Sequence, residues 1–279
     1  MQPVCPGPSS RILYRMTTMS LPTLFLSHGA PLLAIDDSPA RRFLLGLGKT
    51  LPRPKAILVI SAHWETGGGV AVSLARQPET IHDFGGFPAP LYQLQYPAPG
   101  APETAERAAT LLEAAGFAVK RSASRGLDHG AWVPLSLIYP DADIPTAQVS
   151  LPRGASPAEH KRMGRALGKL REEGVLIIGS GSLTHNLNEF NGGPIDAAVP
   201  LWVSDFAEWM NLQLANRQFG ALLAYRAQAP FAARNHPSDE HLSPLFVAMG
   251  AAGEDAEPKR LHGSYQYRVL AMDMVSFPS

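Results

Sequence analysis

Continuously apolar stretches of strand length alternate with helix-like stretches along most of the chain. Segments such as Ala56–Ser61 and Val175–Gly179 are bounded by turn-forming residues, which is typical of strands buried on both faces of a parallel sheet. Segments such as Glu103–Ala115 and Pro157–Glu173 are predicted helices. The alternation predicts an α/β fold: a single domain with a central, largely parallel sheet flanked by helices. The other expected strands are one ending at Leu26, Val70–Ser73, Ala118–Arg121, Ile144–Val149 and Val269–Met274, and the other helices are Ala40–Gly46, Ala131–Ile138, Leu201–Leu214, Gly220–Ala227 and Asp239–Met249.

Four histidines follow predicted strands or lie in a dense polar cluster. His28 and His63 directly follow apolar stretches, His185 comes shortly after another, and His241 ends a polar segment. Because ligands of open α/β sheets bind at the carboxyl ends of the strands, the first three imidazoles are expected to converge. Convergent histidines are the commonest protein ligands for a catalytic transition metal. The pattern therefore predicts a metal site built from these four histidines.

Further polar residues lie near these histidines in the sequence. A ligating imidazole needs a partner for its second nitrogen, and Ser27, Glu65 and Ser182 are candidates. His129 stands between Asp128 and a glycine, just before a predicted helix, and is a candidate acid/base because an imidazole titrates near pH ~6.5. The alternative is a helix-capping loop in which Asp128 is the cap.

The segment 81–102 is long, rich in proline and glycine, and aromatic. Loops of this length are usually functional or disordered, and the aromatic content argues against disorder. His82, Phe84, Phe87 and Tyr92 are therefore candidate substrate-binding residues that wall a pocket for a flat, apolar ligand. An ordered surface loop with aromatic anchors is the alternative.

Three other histidines have plainer interpretations. His160 lies in a polar stretch of a predicted helix, so we expect it to be solvated. His262 precedes a glycine in a polar turn and is interpreted as structural. His236 precedes a proline, which favours an extended backbone, and its expected role is to position His241.

Composition narrows the class of protein. The 279 residues include 24 Lys+Arg and 24 Asp+Glu with no basic stripe, so nucleic acid is not an expected partner. A single cysteine, Cys5, excludes an internal disulfide and a thiolate zinc site. Residues 1–20 are expected to form a disordered extension before a catalytic domain at 21–279. No apolar stretch is long enough for a membrane span or fits a signal peptide, so a cytoplasmic location is expected.

Several motifs, in order along the chain, carry a resemblance to a known family. They are Leu26–Pro31 (LSHGAP), Ser61–Trp64 (SAHW), Ile81–Pro88 (IHDFGGFP), Leu127–Trp132 (LDHGAW), Thr184–Leu187 (THNL) and His236–His241 (HPSDEH). With them the chain resembles the class III extradiol ring-cleaving dioxygenases, in particular the DOPA 4,5-dioxygenase-like branch. Any one motif is weak, but their order over nearly the whole chain is specific.

The resemblance implies one mononuclear, non-haem metal in a single domain. It assigns His28, His63 and His241 as ligands, His185 as a ligand or an acid/base at the metal, and His129 to the substrate side. Better-known members use two histidines and a glutamate, and here that position offers both Glu240 and His241. The branch uses the histidine. An all-histidine site suits Zn(II) as well as Fe(II).

The expected function is that of an extradiol dioxygenase. A small aromatic diol of DOPA type and O2 are the expected partners, and one divalent metal per chain is the expected cofactor, Fe(II) for activity or Zn(II) as bound. Two alternatives stay open: a zinc-dependent hydrolase that uses the same histidines, and a non-catalytic metal- or peptide-binding member of the fold. A homo-oligomer is possible.

Overall fold

The computed structural model describes residues 20–190 and 192–278. The predicted N-terminal extension therefore lies, apart from Ser20, outside the described residues. The strands are β1 (Thr23–Ser27), β2 (Ala56–Thr66), β3 (Val70–Ser73), β4 (Val119–Ser122), β5 (Thr146–Pro152), β6 (Val175–Gly181), β7 (Lys259–His262), β8 (Tyr265–Gln266), β9 (Leu270–Ala271) and β10 (Met274–Phe277). The α-helices are α1 (Pro39–Leu47), α2 (Pro102–Ala114), α3 (His129–Ile138), α4 (Pro157–Leu167), α5 (Leu201–Ala215), α6 (Phe219–Leu223), α7 (Tyr225–Gln228), α8 (Ala232–Asn235) and α9 (Ser243–Ala252). Short 3₁₀ helices cover Pro31–Ala34, Ala89–Gln93, Gly168–Arg171 and Leu187–Glu189.

Eight of the described strands form one sheet in the order β4-β3-β5-β2-β6-β1-β10-β7. Its centre, β5-β2-β6-β1, is parallel throughout, whereas β10 pairs antiparallel with β1 and β7 antiparallel with β10. On the other side β3 pairs antiparallel with β5 and parallel with β4. The prediction of a central, largely parallel sheet is confirmed. Since β1, β2 and β6 run in the same direction, their carboxyl ends lie at one edge.

Successive residues of β2 supply the two faces of the sheet. Ile57 and Val59 pack in the core beneath α1 and α3, while Leu58 and Ile60 pack in the core that α2 and α4 cover. Helix α9 is buried along its length and contributes to the second face as well as to a third cluster with α5. Helices on both faces explain why β1, β2 and β6 have apolar residues at consecutive rather than alternate positions.

His160 is a correction to the sequence-based expectation. We expected it to be solvated, but it is only 3% exposed. It shares a face of α4 with Met163, Gly164 and Leu167, which are spaced as one side of a helix and are all buried. This face packs against α9, and a side chain at Gly164 would overlap the carbonyl of Val247. The polar neighbours of His160 in the sequence concealed its position on the buried face.

Other differences concern where elements end. The helix predicted over Pro157–Glu173 ends at Leu167 and continues as a 3₁₀ turn, whose Arg171 donates hydrogen bonds to the carbonyls of Ala251 and Ala252 at the end of α9. The helix predicted over Gly220–Ala227 consists of α6 and α7, and the strand predicted over Val269–Met274 is divided between β9 and β10. Among the described residues, no helix is both long and apolar enough to cross a bilayer.

Candidate metal centre

The strands bring two histidines to the carboxyl edge of the sheet in different ways. His28 directly follows β1, and its backbone N–H donates to the carbonyl of Gly181 at the end of β6. His63 lies inside β2, in a stretch that the β5 ladder skips: Ile60 pairs with Val149, and the next pair is Glu65 with Leu151. Such an irregularity in a strand next to a site re-aims a side chain.

Three further histidines come from the segments that connect the helices to this edge. His129 is the first residue of α3, His185 follows β6 by a short turn, and His241 lies just before α9. The turn after β6 is held against the segment before α9, since the backbone N–H of Ser182 donates to the carbonyl of His241 at 2.8 Å. A side chain at Gly181 would overlap the same carbonyl. The small residues after β6 therefore allow this close approach.

The five imidazoles form one cluster. His28 Nε2 and His63 Nε2 are 2.9 Å apart, and the ring centroids of His63 and His129 are 3.9 Å apart. The His185 and His241 rings stack at 3.4 Å, and the His241 centroid lies 5.0 Å from that of His63 and 5.6 Å from that of His28. Two subsets have donor atoms close enough to share an ion: His28, His63 and His129, and His185, Glu240 and His241.

His28 and His241 each have a hydrogen-bond acceptor at Nδ1. Ser180 Oγ donates to the carbonyl of Gly130, so it accepts from His28 Nδ1–H at 3.0 Å. His241 Nδ1–H donates to Glu240 Oε1 at 2.8 Å. With the proton on Nδ1, Nε2 of each ring has a free lone pair.

Asp83 accepts hydrogen bonds from His129 and lies close to His63. Its Oδ1 accepts from the backbone N–H and from Nδ1–H of His129, at 2.9 and 3.0 Å. Its Oδ2 lies 3.6 Å from His63 Nδ1. Both rings therefore turn Nε2 away from the carboxylate.

The orienting residues expected from the sequence have other contacts. Ser27 Oγ accepts from the backbone N–H of Leu183, and Ser182 Oγ donates to the carbonyl of Thr184. Glu65 lies 3.8 Å from Arg153. Ser180, Asp83 and Glu240 provide the orienting contacts instead. Ser180 and Asp83 could not be identified from the sequence, because each lies far along the chain from the histidine that it contacts.

Asp128 lies beneath the cluster and does not cap α3 with its side chain. Its fully buried carboxylate accepts from Ser61 Oγ at 2.6 Å, from Arg125 at 2.6 Å and from the Gln148 amide at 2.9 Å. The alternative in which the Asp128 side chain caps the helix is therefore wrong. The network fixes the backbone between Asp128 and Gly130, where a side chain at Gly130 would overlap Ser61 Oγ and crowd His28 and His63.

Burial disfavours the protonated form of four histidines of the cluster. Burial, with the neighbouring imidazoles, lowers the pKa of His28 and of His241 well below the usual value. Burial likewise lowers the pKa of His63 and of His185 to about 4. Burial acts to raise the pKa of Asp83, but the hydrogen bonds and charge of His129 outweigh it and lower that pKa to about 2. Neutral imidazoles beside an ionised carboxylate are the donor state that a divalent cation requires.

A cavity of about 370 Å³ opens from the cluster. Its lining is mostly apolar, and Phe84 and Phe87 belong to it, whereas His82 and Tyr92 do not. His82 Nε2 hydrogen-bonds to the carbonyl of Leu94, and the Tyr92 ring lies 5.2 Å from that of Phe84. The lining residues are Gly29, Ala30, Pro31, His63, Asp83, Phe84, Gly85, Phe87, His129, His185, Leu187, Phe190, His241 and Leu270. The sequence analysis did not identify Leu187, Phe190 or Leu270 as lining residues.

A buried histidine cluster beside an apolar cavity, at the carboxyl edge of a parallel sheet, is typical of a metal-dependent enzyme. Residues 22–275 match the family described as the catalytic LigB subunit of aromatic ring-opening dioxygenase, and the chain belongs to this family. It is thus an oxidoreductase of the extradiol dioxygenase class, as the sequence motifs predicted.

Named relatives and a solved structure agree with this assignment. A protein of Beta vulgaris named 4,5-DOPA dioxygenase extradiol is 45% identical over 92% of this chain and 96% of its own length. A protein of the same name from Escherichia coli (strain K12) is 40% identical over 85% of this chain and 87% of its own length. The crystal structure of an uncharacterized protein from Escherichia coli K12 superposes with a TM-score of 0.76 at 33% identity, covering 92% of this chain and 99% of the other.

Proposed function

We propose that this chain opens the ring of a DOPA-like catechol next to the diol, with O2 as co-substrate and one divalent metal held by His28, His63 and His241. The observation that carries the ligand set is the shared arrangement of these rings. His28 and His241 donate Nδ1–H to Ser180 and Glu240, and His63 turns Nδ1 toward Asp83 at 3.6 Å. Each ring thus directs the lone pair of Nε2 to a common space. Two such lone pairs 2.9 Å apart repel each other unless a cation or a shared proton lies between them.

The same arrangement supports His241 over Glu240 as the third ligand. Glu240 accepts the Nδ1 proton of His241, which is the usual position of a carboxylate that orients a metal-binding histidine. A site of three neutral imidazoles binds Fe(II) or Zn(II). We propose Fe(II) as the working metal, with Zn(II) as an ion that the purified protein also carries, and residues 21–279 as the catalytic domain.

The metal supplies Lewis acidity to the diol and redox chemistry to O2. The protein's own task is then to move protons. His129 and His185 both line the cavity, and the His185 ring stacks on that of His241. These two imidazoles take the proton of the second hydroxyl group and return one when the O–O bond breaks.

The cavity suits the substrate through its shape and polarity. Phe84 and Phe87 offer their rings to the aromatic diol, and we propose that His82 and Tyr92 act behind Phe84 by fixing its position. Among the lining residues that the structure describes there is no Lys or Arg. A carboxylate bonded directly to the ring, as in protocatechuate, would therefore lose hydration without gaining a cationic partner in this lining.

The test is anaerobic reconstitution with Fe(II), followed by O2 uptake and visible absorbance with DOPA, protocatechuate and 4-methylcatechol. We expect one O2 consumed per ring opened and a yellow semialdehyde product. We also expect kcat/KM for 4-methylcatechol to exceed that for protocatechuate about tenfold, because a buried unpaired carboxylate costs at least ~1.4 kcal/mol. Iron-loaded protein that consumes no O2 with any catechol would contradict the proposal, and ester hydrolysis by the zinc form would favour the hydrolase.

A further inference from the structure

The aromatic loop between residues 81 and 88 carries a carboxylate in contact with two histidines of the cluster. We infer that Asp83 is a positioning residue that fixes the tautomer and the orientation of His129, and thereby makes Nε2 of His129 the proton acceptor. The inference rests on the proposed acid/base role of His129. It adds a residue that the family motifs alone did not assign to the reaction.

The contacts of Oδ1 restrain His129 at two points. One is the backbone N–H at 2.9 Å and the other is Nδ1–H at 3.0 Å, so the same oxygen holds the start of α3 and the ring. A carboxylate can only accept a hydrogen bond, which places the proton on Nδ1 and the lone pair on Nε2. Without this restraint the ring could turn either nitrogen to the cavity. A fraction of the molecules would then carry the proton on Nε2, which is the unproductive tautomer.

The second carboxylate oxygen of Asp83, Oδ2, lies near the proposed metal ligand His63. Oδ2 lies 3.6 Å from His63 Nδ1, and the rings of His63 and His129 are 3.9 Å apart. One side chain thus faces both the proposed ligand and the proposed base. A substitution at Asp83 is expected to affect His129 more than His63, because only His129 has two hydrogen bonds to it.

The loop that carries Asp83 is itself held in place. The backbone N–H of Ile81 donates to the carbonyl of Leu127 at 2.8 Å, and Trp132 Nε1 donates to the carbonyl of Ile81 at 3.0 Å. Phe84, the next residue after Asp83, meets the ring of His129 edge-on at 5.6 Å. The segment that packs against the substrate ring is therefore the one that orients the base, so both functions depend on one short stretch of chain.

The experiment compares the variant Asp83→Asn with wild type, using Asp143→Asn as a matched control. Asp143 pairs with Arg53 on the exposed surface, outside the cavity lining. In zinc-loaded protein labelled with ¹⁵N-histidine, the ring signals of His129 are assigned by their loss in His129→Gln. We expect wild type and the control to show His129 protonated at Nδ1 alone. The amide of the Asp83→Asn variant can donate to Nδ1, so we expect signals of the Nε2–H tautomer there.

Kinetics of the iron-loaded enzyme give the second readout. We expect kcat of Asp83→Asn to fall about 100-fold or more, with KM within about threefold of wild type, because general acid–base catalysis contributes about 10²–10⁴-fold. The longer carboxylate of Asp83→Glu is expected to keep the Nδ1–H tautomer and to restore part of kcat, which also covers the case in which the asparagine variant does not fold.

An unchanged His129 tautomer in Asp83→Asn, or a kcat equal to that of wild type, would overturn the inference. So would an Asp83→Glu variant that shows the Nε2–H tautomer. If wild type opens no catechol ring but the tautomer changes as expected, the proposed function fails and the positioning role of Asp83 stands.

Discussion

His63 and His160 are alike in two respects and differ in a third. Burial is the main cause that lowers the pKa of each to about 4, and each lies among segments of the fold far apart in the sequence. The surroundings of the two nitrogens differ. His63 turns Nδ1 to a carboxylate and Nε2 to another imidazole 2.9 Å away, whereas His160 shares its face of α4 with Met163 and Leu167.

The difference separates a functional histidine from a structural one. A low pKa shows only that the charged form is disfavoured, which any buried imidazole achieves. A metal site needs two more features: an acceptor that fixes which nitrogen is protonated, and neighbours whose free nitrogens face the same space. His63 faces a carboxylate at Nδ1 and belongs to a cluster able to hold an ion, whereas among the described residues His160 lies outside such clusters.

The sharpest test of the comparison is to remove each imidazole. In His63→Ala we expect bound metal to fall from about one ion per chain to near zero and ring opening to fall about 10³-fold or more, since the metal supplies the chemistry. In His160→Gln we expect metal content and kcat within about twofold of wild type. Metal analysis by mass spectrometry and O2 uptake measure both, and normal metal content with activity in His63→Ala would show that the ligand set is wrong.

A smaller effect on metal binding is expected when Glu240 is changed and the proposed ligand His241 is kept. Glu240→Gln replaces the carboxylate that accepts from His241, and we expect the Kd for Zn(II) to rise about 10–100-fold. Glu65→Gln is the matched variant, because Glu65 is paired with Arg153, and its Kd should stay within about twofold of wild type. Competition with a fluorescent chelator measures both values. Equal losses in the two variants would contradict the orienting role of Glu240.

The smallest expected effect concerns stability and pH at His160. The unfolded chain binds a proton at this residue near pH ~6.5 and the folded chain only near a pKa of about 4. Its contribution is therefore fully present above pH ~6.5 and is lost as pH falls toward 4, by at most about 3 kcal/mol.

The variant His160→Gln removes this titration. Urea unfolding of the metal-free protein at pH 7 and pH 4.5 is expected to show a stability difference about 2–3 kcal/mol smaller in the variant than in wild type. An identical pH dependence in the two proteins would mean that His160 does not titrate differently on unfolding.

The periodicity of the sequence was enough to predict the centre of the sheet but not its margins. The strands β1, β2 and β6 contain runs of consecutive apolar residues because helices cover both faces, and this pattern is visible without a structure. The strand β7 is short and half exposed, so its pairing with β10 has no such signal. The division of the last predicted strand into β9 and β10 depends on a hairpin with β8, which periodicity does not encode.

The histidines of the site could be found because each follows a strand or stands in a polar cluster. The residues that hydrogen-bond to these histidines could not be found in the same way. Asp83 and His129 are separated by 46 positions in the sequence, and Ser180 and His28 by 152. These contacts therefore form only when the sheet has formed. The sequence did offer one clue: Asp83 stands inside the motif that also holds Phe84, but that motif was interpreted through its aromatic residues alone.

The three proposed ligands also lie far apart along the chain. His28 follows β1, His63 lies in β2 and His241 precedes α9, so an ion held by all three connects the beginning, the first quarter and the last quarter of the polypeptide. The unfolded chain offers no equivalent site, and an ion present at 100 times its Kd would stabilise the native state by about 2.7 kcal/mol. In a cell short of metal, the enzyme would then lose not only turnover but also resistance to proteolysis, and its abundance would follow the metal supply.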